Sequence, residues 1–290
     1  MGSGAGGRPQ AAGTGGAVNR TGQIILVVLL IGVVAMGALL LARGRNGSPE
    51  RSQVVVYAPC GMASPVTSVA HLFRQANPEI ELEVILDNAI VLLRNVRKGA
   101  DPDIFISPGE LEMKQLVDEG YVDPETVRDF GSLEMVVIAP KRNQELAGID
   151  GLTGDSVKII SMADPQYNSV GYYGRAALEH LGLWEPLQTK LKLREYPLEA
   201  VTLVTDGTAD AGIAYLSCPL ETAPDKADKS AVRIVAKIPR EAYPPVRLQA
   251  GILRGSRKRA EAERFVDFIT SQEAQTTLKS EGILPIGEAK

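Results

Sequence analysis

The chain has 290 residues, with 31 Lys and Arg against 35 Asp and Glu, two His and two Cys, and a formal charge of −4. Five Arg and one Glu lie up to Ser52, a net of +4, which leaves −8 for the rest. So acidic a body argues against nucleic acid, which needs a basic face, but not against an anionic ligand, because local backbone N–H dipoles can hold an anion against the net field.

Residues 1–21 are rich in Gly and Ala, with almost no bulky apolar side chains. They cannot bury enough surface to offset the entropy of ordering, and predict a disordered tail. Ile24 to Ala42 follows as 19 uncharged residues. At 1.5 Å of rise per residue it spans most of a hydrocarbon core roughly 30 Å thick. A cleavable signal usually has a shorter apolar core ending in a small-x-small site, whereas this long run is flanked by Ala42-Arg43-Gly44-Arg45, and no cysteine lies just after it. An uncleaved transmembrane anchor over residues 22–42 is therefore expected, rather than a cleaved signal or a lipid-attached form. Arg8 and Arg20 precede the run, while Arg43, Arg45 and Arg51 follow it, so charge alone does not orient it. The bulk of the chain does: a single-pass N-terminal anchor in the cell membrane exports the domain behind it. Residues 43–52 read as a linker, leaving 238 residues for a large core or two lobes.

The body alternates strand and helix. Val54 to Tyr57 is a β run, and Ser64 to Ala76 carries Val66, Val69, Ala70, Leu72 and Phe73 at helical spacing until Pro78. Glu79 to Leu86 alternates as a strand, and Ile90 to Arg97 is a helix closed by Gly99. Ile104 to Ile106 is a strand, Leu111 to Glu119 a helix ended by Gly120, and Met135 to Ala139 a strand. The rhythm resumes with Lys158 to Ser161, the helix Tyr172 to Leu181, and strands at Ile213 to Tyr215, Arg233 to Ala236 and Gln249 to Leu253. Helices at Arg259 to Ile269 and Glu273 to Ser280 close the chain. This is an α/β pattern that predicts mostly parallel sheets covered on both faces.

Five of the strand-like segments break into Gly, Pro, Ser or Asn clusters: VVVYAPCGM, PDIFISPGE, MVVIAPK, VKIISMADP and AGIAYLS. Open α/β sheets bind small ligands outside the carboxyl ends of their strands, where helix N-termini aim backbone N–H groups. An enzyme with a Cys nucleophile would need a base, and His71 and His180 both sit inside expected helices. There is no Walker loop, no dinucleotide fingerprint and no zinc-type His/Cys cluster. The expectation is a binding protein, not an enzyme.

GADPDIFIS (99–107), SLEMVVIAPK (132–141), ADPQYNSVGYYGRAALEHLGLW (163–184), AGIAY (211–215) and SQEAQTTLKSEGILP (271–285) occur in an order and spacing that resemble the extracytoplasmic solute-binding proteins of the molybdate type. The resemblance runs from about Gln53 onward. It implies a type II periplasmic binding fold, in which two lobes joined by two crossing strands close on a ligand. Lobe one would be 53–135 plus 248–290, and lobe two 136–247. It also implies a monomer that captures molybdate or tungstate and docks on the permease of an ABC importer.

Family members grip the oxyanion with uncharged serine hydroxyls and backbone N–H groups from both lobes. By the resemblance, the first serine loop falls on Cys60-Gly61-Met62, the second on Asn88-Ala89-Ile90, and a backbone donor on Pro197, which has no N–H. Val170 and Tyr215 match the family, the tyrosine as a hydroxyl donor. The ligand-binding set is therefore Cys60, Gly61, Asn88, Ala89, Val170 and Tyr215.

A second set competes for the same cleft. Cys60 lies where a strand meets a helix N-terminus, which favours thiolate, and Met62 is two residues on. The family's fold brings Cys218 to the other lip. Two sulfurs and a thioether suit a soft cation such as Cu(I), which gives Cys60, Met62 and Cys218 as a metal-binding or sensing alternative. The cysteines also fit a disulfide or inert buried thiols. Asn88 fits a turn residue after Asp87, and Asn168-Ser169 an ordinary cap or an anion seat. Ser107 is expected to cap the helix that follows it.

Overall fold

Val54, Val56 and Ala58 are fully buried on the strand β1 (Ser52–Pro59), which pairs in parallel along its whole length with β2 (Ile80–Asp87). The computed structural model describes residues 52–218 and 231–285. The expected tail, the anchor at 22–42 and all of the linker but Ser52 lie outside them. Ser52 already pairs with Ile80 and belongs to the sheet. Among the described residues no helix is long and apolar enough to cross a membrane.

Between β1 and β2 runs α1 (Ala63–Ala76), which buries Val66, Val69, Ala70 and Phe73 on one stripe. Then come α2 (Ala89–Arg97), β3 (Ile104–Ser107), α3 (Glu110–Asp118) and β4 (Arg128–Leu133). The chain crosses to a second sheet through β5 (Met135–Pro140), β6 (Ile160–Ala163), α4 (Ser169–His180), the short α5 (Trp184–Leu187), β7 (Leu191–Arg194), α6 (Pro197–Thr205), β8 (Ala211–Tyr215) and β9 (Val232–Lys237). It returns as β10 (Val246–Ile252) and finishes with α7 (Arg259–Ile269) and α8 (Gln272–Ser280). The two sheets have strand orders β2-β1-β3-β10-β4 and β7-β6-β8-β5-β9.

The sheets are mixed, not mostly parallel. In the first, β2-β1 and β1-β3 are parallel, whereas β3-β10 and β10-β4 are antiparallel. The second repeats this, with β7-β6 and β6-β8 parallel and β8-β5 and β5-β9 antiparallel. The crossing itself is the physical reason. A strand arriving from the other lobe enters at the edge where its neighbours end, so it must run against them, and the strand that leaves must run against the one that arrived.

The switch of sheet falls at Glu134, since Leu133 pairs with Val246 in one sheet and Met135 with Tyr215 in the other. Met135 therefore pairs within the second sheet, and Val246 and Arg247 within the first. One apolar core runs through both lobes and includes Val56 and Phe73 on one side, Ile160 and Ile213 on the other, and Leu133, Met135 and Tyr243 between. Phe73 meets Phe265 of α7 edge to face at 5.2 Å between centroids. Glu281, just after α8, accepts from Ser64 (2.8 Å) and Ser68 (2.9 Å) of α1.

Candidate functional site

The parallel strands β1, β2 and β3 of lobe one and β6, β7 and β8 of lobe two end at the mouth of one cavity of about 230 Å³. Lobe one supplies Cys60, Gly61, Met62, Asn88, Ala89 and Glu112 to its wall. Lobe two supplies Asn168, Val170, Pro197, Tyr215 and Cys218, and Leu133 sits at the hinge. No Lys or Arg lines it among the described residues. Its polar groups are hydroxyl, amide, thiol and one carboxyl.

Local sequence explains each lip. Pro59 ends β1 in an extended conformation, and Cys60–Met62 then form a single tight turn in which the Ala63 N–H donates to the Cys60 carbonyl. Asp87 accepts from the Asn88 N–H at 2.7 Å, and the Asn88 Oδ1 accepts from Ile90 N–H at 3.0 Å, starting α2. On the opposite lip the Asn168 Oδ1 accepts from Gly171 N–H at 3.0 Å. Its Nδ2 donates to the Asp164 and Glu195 carbonyls, each at 3.2 Å. Gly171 is glycine because a Cβ there would meet the Ala163 carbonyl oxygen at 2.5 Å, so α4 starts pressed onto the end of β6.

The first turn of a helix has N–H groups with no partner inside it. In α4 the Ser169 N–H donates to Glu112 Oε1 at 2.9 Å and the Gly171 N–H to Asn168. Val170 stands between them, in the cavity wall. The positive end of the helix dipole adds to its attraction for an anion.

Tyr215 ends β8 and is only 4% exposed, yet its hydroxyl has no hydrogen-bond partner. A buried hydroxyl left unmatched costs about 1–3 kcal/mol, so such groups are rare unless something else meets them. Burial pushes the phenol well above its ordinary pKa, and it stays a donor at any physiological pH.

The eight residues named from the sequence, Cys60, Gly61, Met62, Asn88, Ala89, Val170, Tyr215 and Cys218, all line this cavity. Cys60 and Cys218 are half-buried thiols rather than a disulfide. A Cβ on Gly61 would stand 3.8 Å from the Cys218 Sγ, so the two lips approach closely there. Met62 is 1% exposed and packed in the core. Among the described residues no three His, Cys, Asp or Glu gather as a metal site. Asn88 caps α2 with its oxygen, as the turn reading expects.

Ser107 does not cap α3. Its hydroxyl donates to the Gly109 carbonyl, and Gly109 is the cap, with no side chain to offer. His71 is on an exposed face beside Gln75 (3.0 Å), away from the cavity. Sequence reasoning missed Glu112, which is 1% exposed and accepts from both the N–H and the hydroxyl of Ser169. The available signal was its place beside Met113 and four residues before Leu116, on the face that α3 buries.

Residues 54–284 match the model of a family described as bacterial extracellular solute-binding protein. The chain belongs to that family. Among curated members it is 25% identical over 257 residues to the molybdate-binding protein ModA of Escherichia coli K12, covering 87% of this chain and 96% of that one. It is 26% identical over 250 residues to ModA of Haemophilus influenzae, covering 84% and 95%. The periplasmic molybdate-binding protein of Azotobacter vinelandii superposes with a TM-score of 0.68 at 20% identity, over 80% of this chain and 98% of that one, which shows a shared fold. As an extracellular solute-binding protein, the chain has the two-sheet α/β periplasmic binding fold that the sequence resemblance implied.

Proposed function

We propose that this chain is the membrane-anchored, extracytoplasmic substrate-binding component of an ABC importer, and that it captures a tetrahedral oxyanion such as molybdate or tungstate between its lobes. It is a binding protein and not an enzyme. The buried, unpartnered Tyr215 hydroxyl carries the reading, because it offers a donor to the cavity that no protein group accepts. The first turn of α4 adds the Val170 N–H, and the turns at Cys60–Met62 and Asn88–Ala89 face them from lobe one. Neutral donors in a dehydrated cleft suit a dianion that carries its own charge. Relatives named as molybdate-binding, similar over nearly their whole length, support the same ligand class. The apolar run 24–42 supplies the anchor and an ABC permease receives the closed form.

The test is calorimetric titration of the full chain in detergent with molybdate, tungstate and sulfate. Tight binding of molybdate or tungstate is expected. A second reading rests on the fact that Cys60, Met62 and Cys218 line the same cavity, which suits a soft cation. Cu(I) binding that disappears in Cys60→Ser, with all three oxyanions silent, would replace the first reading with the second.

A further inference from the structure

The oxyanion reading treats the first turn of α4 as an anion seat, and that seat already holds a carboxyl group of the protein's own. Glu112 comes from α3 in lobe one, yet its Oε1 accepts the N–H of Ser169 in lobe two at 2.9 Å and its other oxygen meets the Ser169 hydroxyl. Val170 is the next residue along, and Glu112, Val170 and the unpartnered Tyr215 hydroxyl share the cavity wall. Two negative charges side by side in a dry cleft repel strongly, because little water screens them.

We propose that Glu112 is the charge gate of the cleft: ionised, it opposes the incoming oxyanion, and capture takes place with one proton bound on the Glu112 carboxyl. This deepens the oxyanion reading and rests on it. The proton comes from solvent and ends on a carboxylate oxygen, so that the dianion enters beside a neutral acid. The bridge between lobes survives the change. The carbonyl oxygen of the acid still accepts the Ser169 N–H, while its O–H donates to the Ser169 Oγ, which now accepts.

The surroundings favour the neutral form. The titratable groups around Glu112 are Glu110 on its own helix, Tyr173 on α4 and Tyr215 on β8, with the Cys60 and Cys218 thiols on the same wall. The Arg247 guanidinium of β10 is engaged by Glu110 (3.7 Å) and Asp129 (3.2 Å). Burial raises the Glu112 carboxyl above the usual carboxylate range, and the Ser169 donors only partly oppose this.

The test is calorimetry of the full chain with molybdate from about pH 5 to 10, in buffers of different ionisation enthalpy, on the wild type and Glu112→Gln. Glutamine keeps the bridge, since its carbonyl accepts the N–H and its NH₂ reaches Oγ, but it carries no charge. The wild type is expected to take up one proton per molybdate above the Glu112 pKa, its affinity falling by about tenfold per pH unit there. Glu112→Gln is expected to bind with an affinity that does not vary with pH and with no proton uptake. Wild-type binding with neither slope nor uptake overturns the gate and leaves the oxyanion reading standing. So does a slope that persists in Glu112→Gln. Failure of both proteins to bind molybdate, tungstate or sulfate at any pH sinks the oxyanion reading and the gate together.

Discussion

The backbone N–H of Met135 donates to the Tyr243 hydroxyl at 3.0 Å, joining the strand that enters lobe two to the segment that leaves it. Met135 is fully buried, so no water can replace the bond. Tyr243→Phe is expected to lower the free energy of unfolding by about 1–3 kcal/mol, the cost of stranding one buried N–H. Urea unfolding of variant and wild type checks it, and equal midpoints would mean that the hinge does not depend on this bond.

Tyr215→Phe should behave in the opposite way. The hydroxyl it removes has no partner in the protein, so stability should hold or rise slightly. Affinity for the captured oxyanion should fall by about 1.5–3 kcal/mol, the worth of a hydrogen bond to a charged group. Thermal melting and titration of the same preparation separate the two effects.

Gly109, on the loop between β3 and α3, faces the other lobe at close range. A Cβ there would stand 2.4 Å from the Ser169 Cβ and 3.1 Å from the Tyr173 ring. The backbone is extended at this position, so alanine fits locally and the clash falls entirely on closure. Gly109→Ala is expected to hold the lobes apart, with a larger radius of gyration by X-ray scattering and affinity at least about tenfold weaker, roughly 1.4 kcal/mol.

Glu112 gives stability a recognisable pH dependence. Its folded-state pKa is raised by burial, so the folded protein binds its proton more tightly than the unfolded chain. Stability from this group is therefore fully present below the ordinary glutamate value of about 4.3 and falls as pH rises toward the folded value, then levels. Asp123, hydrogen-bonded to Arg259, and Glu119, hydrogen-bonded to Arg97, are lowered and act in the opposite sense, lost on acidification. The difference between wild type and Glu112→Gln across pH isolates the Glu112 share. A difference that does not change with pH would contradict the burial argument.

Asn168 is 2% exposed and holds three backbone groups, the Gly171 N–H and the carbonyls of Asp164 and Glu195. Asn168→Ala should cost at least about 1 kcal/mol as a lost cap, and weaken ligand capture because the start of α4 is no longer fixed. Chemical denaturation and titration together test it.

The parts of the fold written in strong local patterns were legible. The buried run at Val54 to Tyr57 and the apolar spacing of α1 each declare one element. By contrast β4 reads Arg-Asp-Phe-Gly-Ser-Leu, with turn residues throughout, and becomes a strand only because β10 arrives beside it. The short edge strand β7 and the proline-started helix α6 were missed for similar reasons. The strand expected at Lys158 begins two residues later, since the Asp210 carboxylate takes the Lys158 and Ile159 N–H groups at 2.8 and 3.0 Å. In the cleft, strand ends pointed to loops that line the cavity. Glu112 was invisible as a cleft residue because its role depends on Ser169, 57 residues away in the other lobe.

The interleaving of β10 between β3 and β4 also orders events during synthesis and export. Every strand of the second sheet lies in one unbroken stretch from Met135 to Lys237, so that lobe can assemble as soon as it emerges. The first sheet must wait with a gap at its centre until Val246 to Ile252 has been made, and α1 waits longer still for Glu281. A nascent chain stalled before residue 246 would present a finished second sheet and a first sheet with its β3 and β4 edges unpaired.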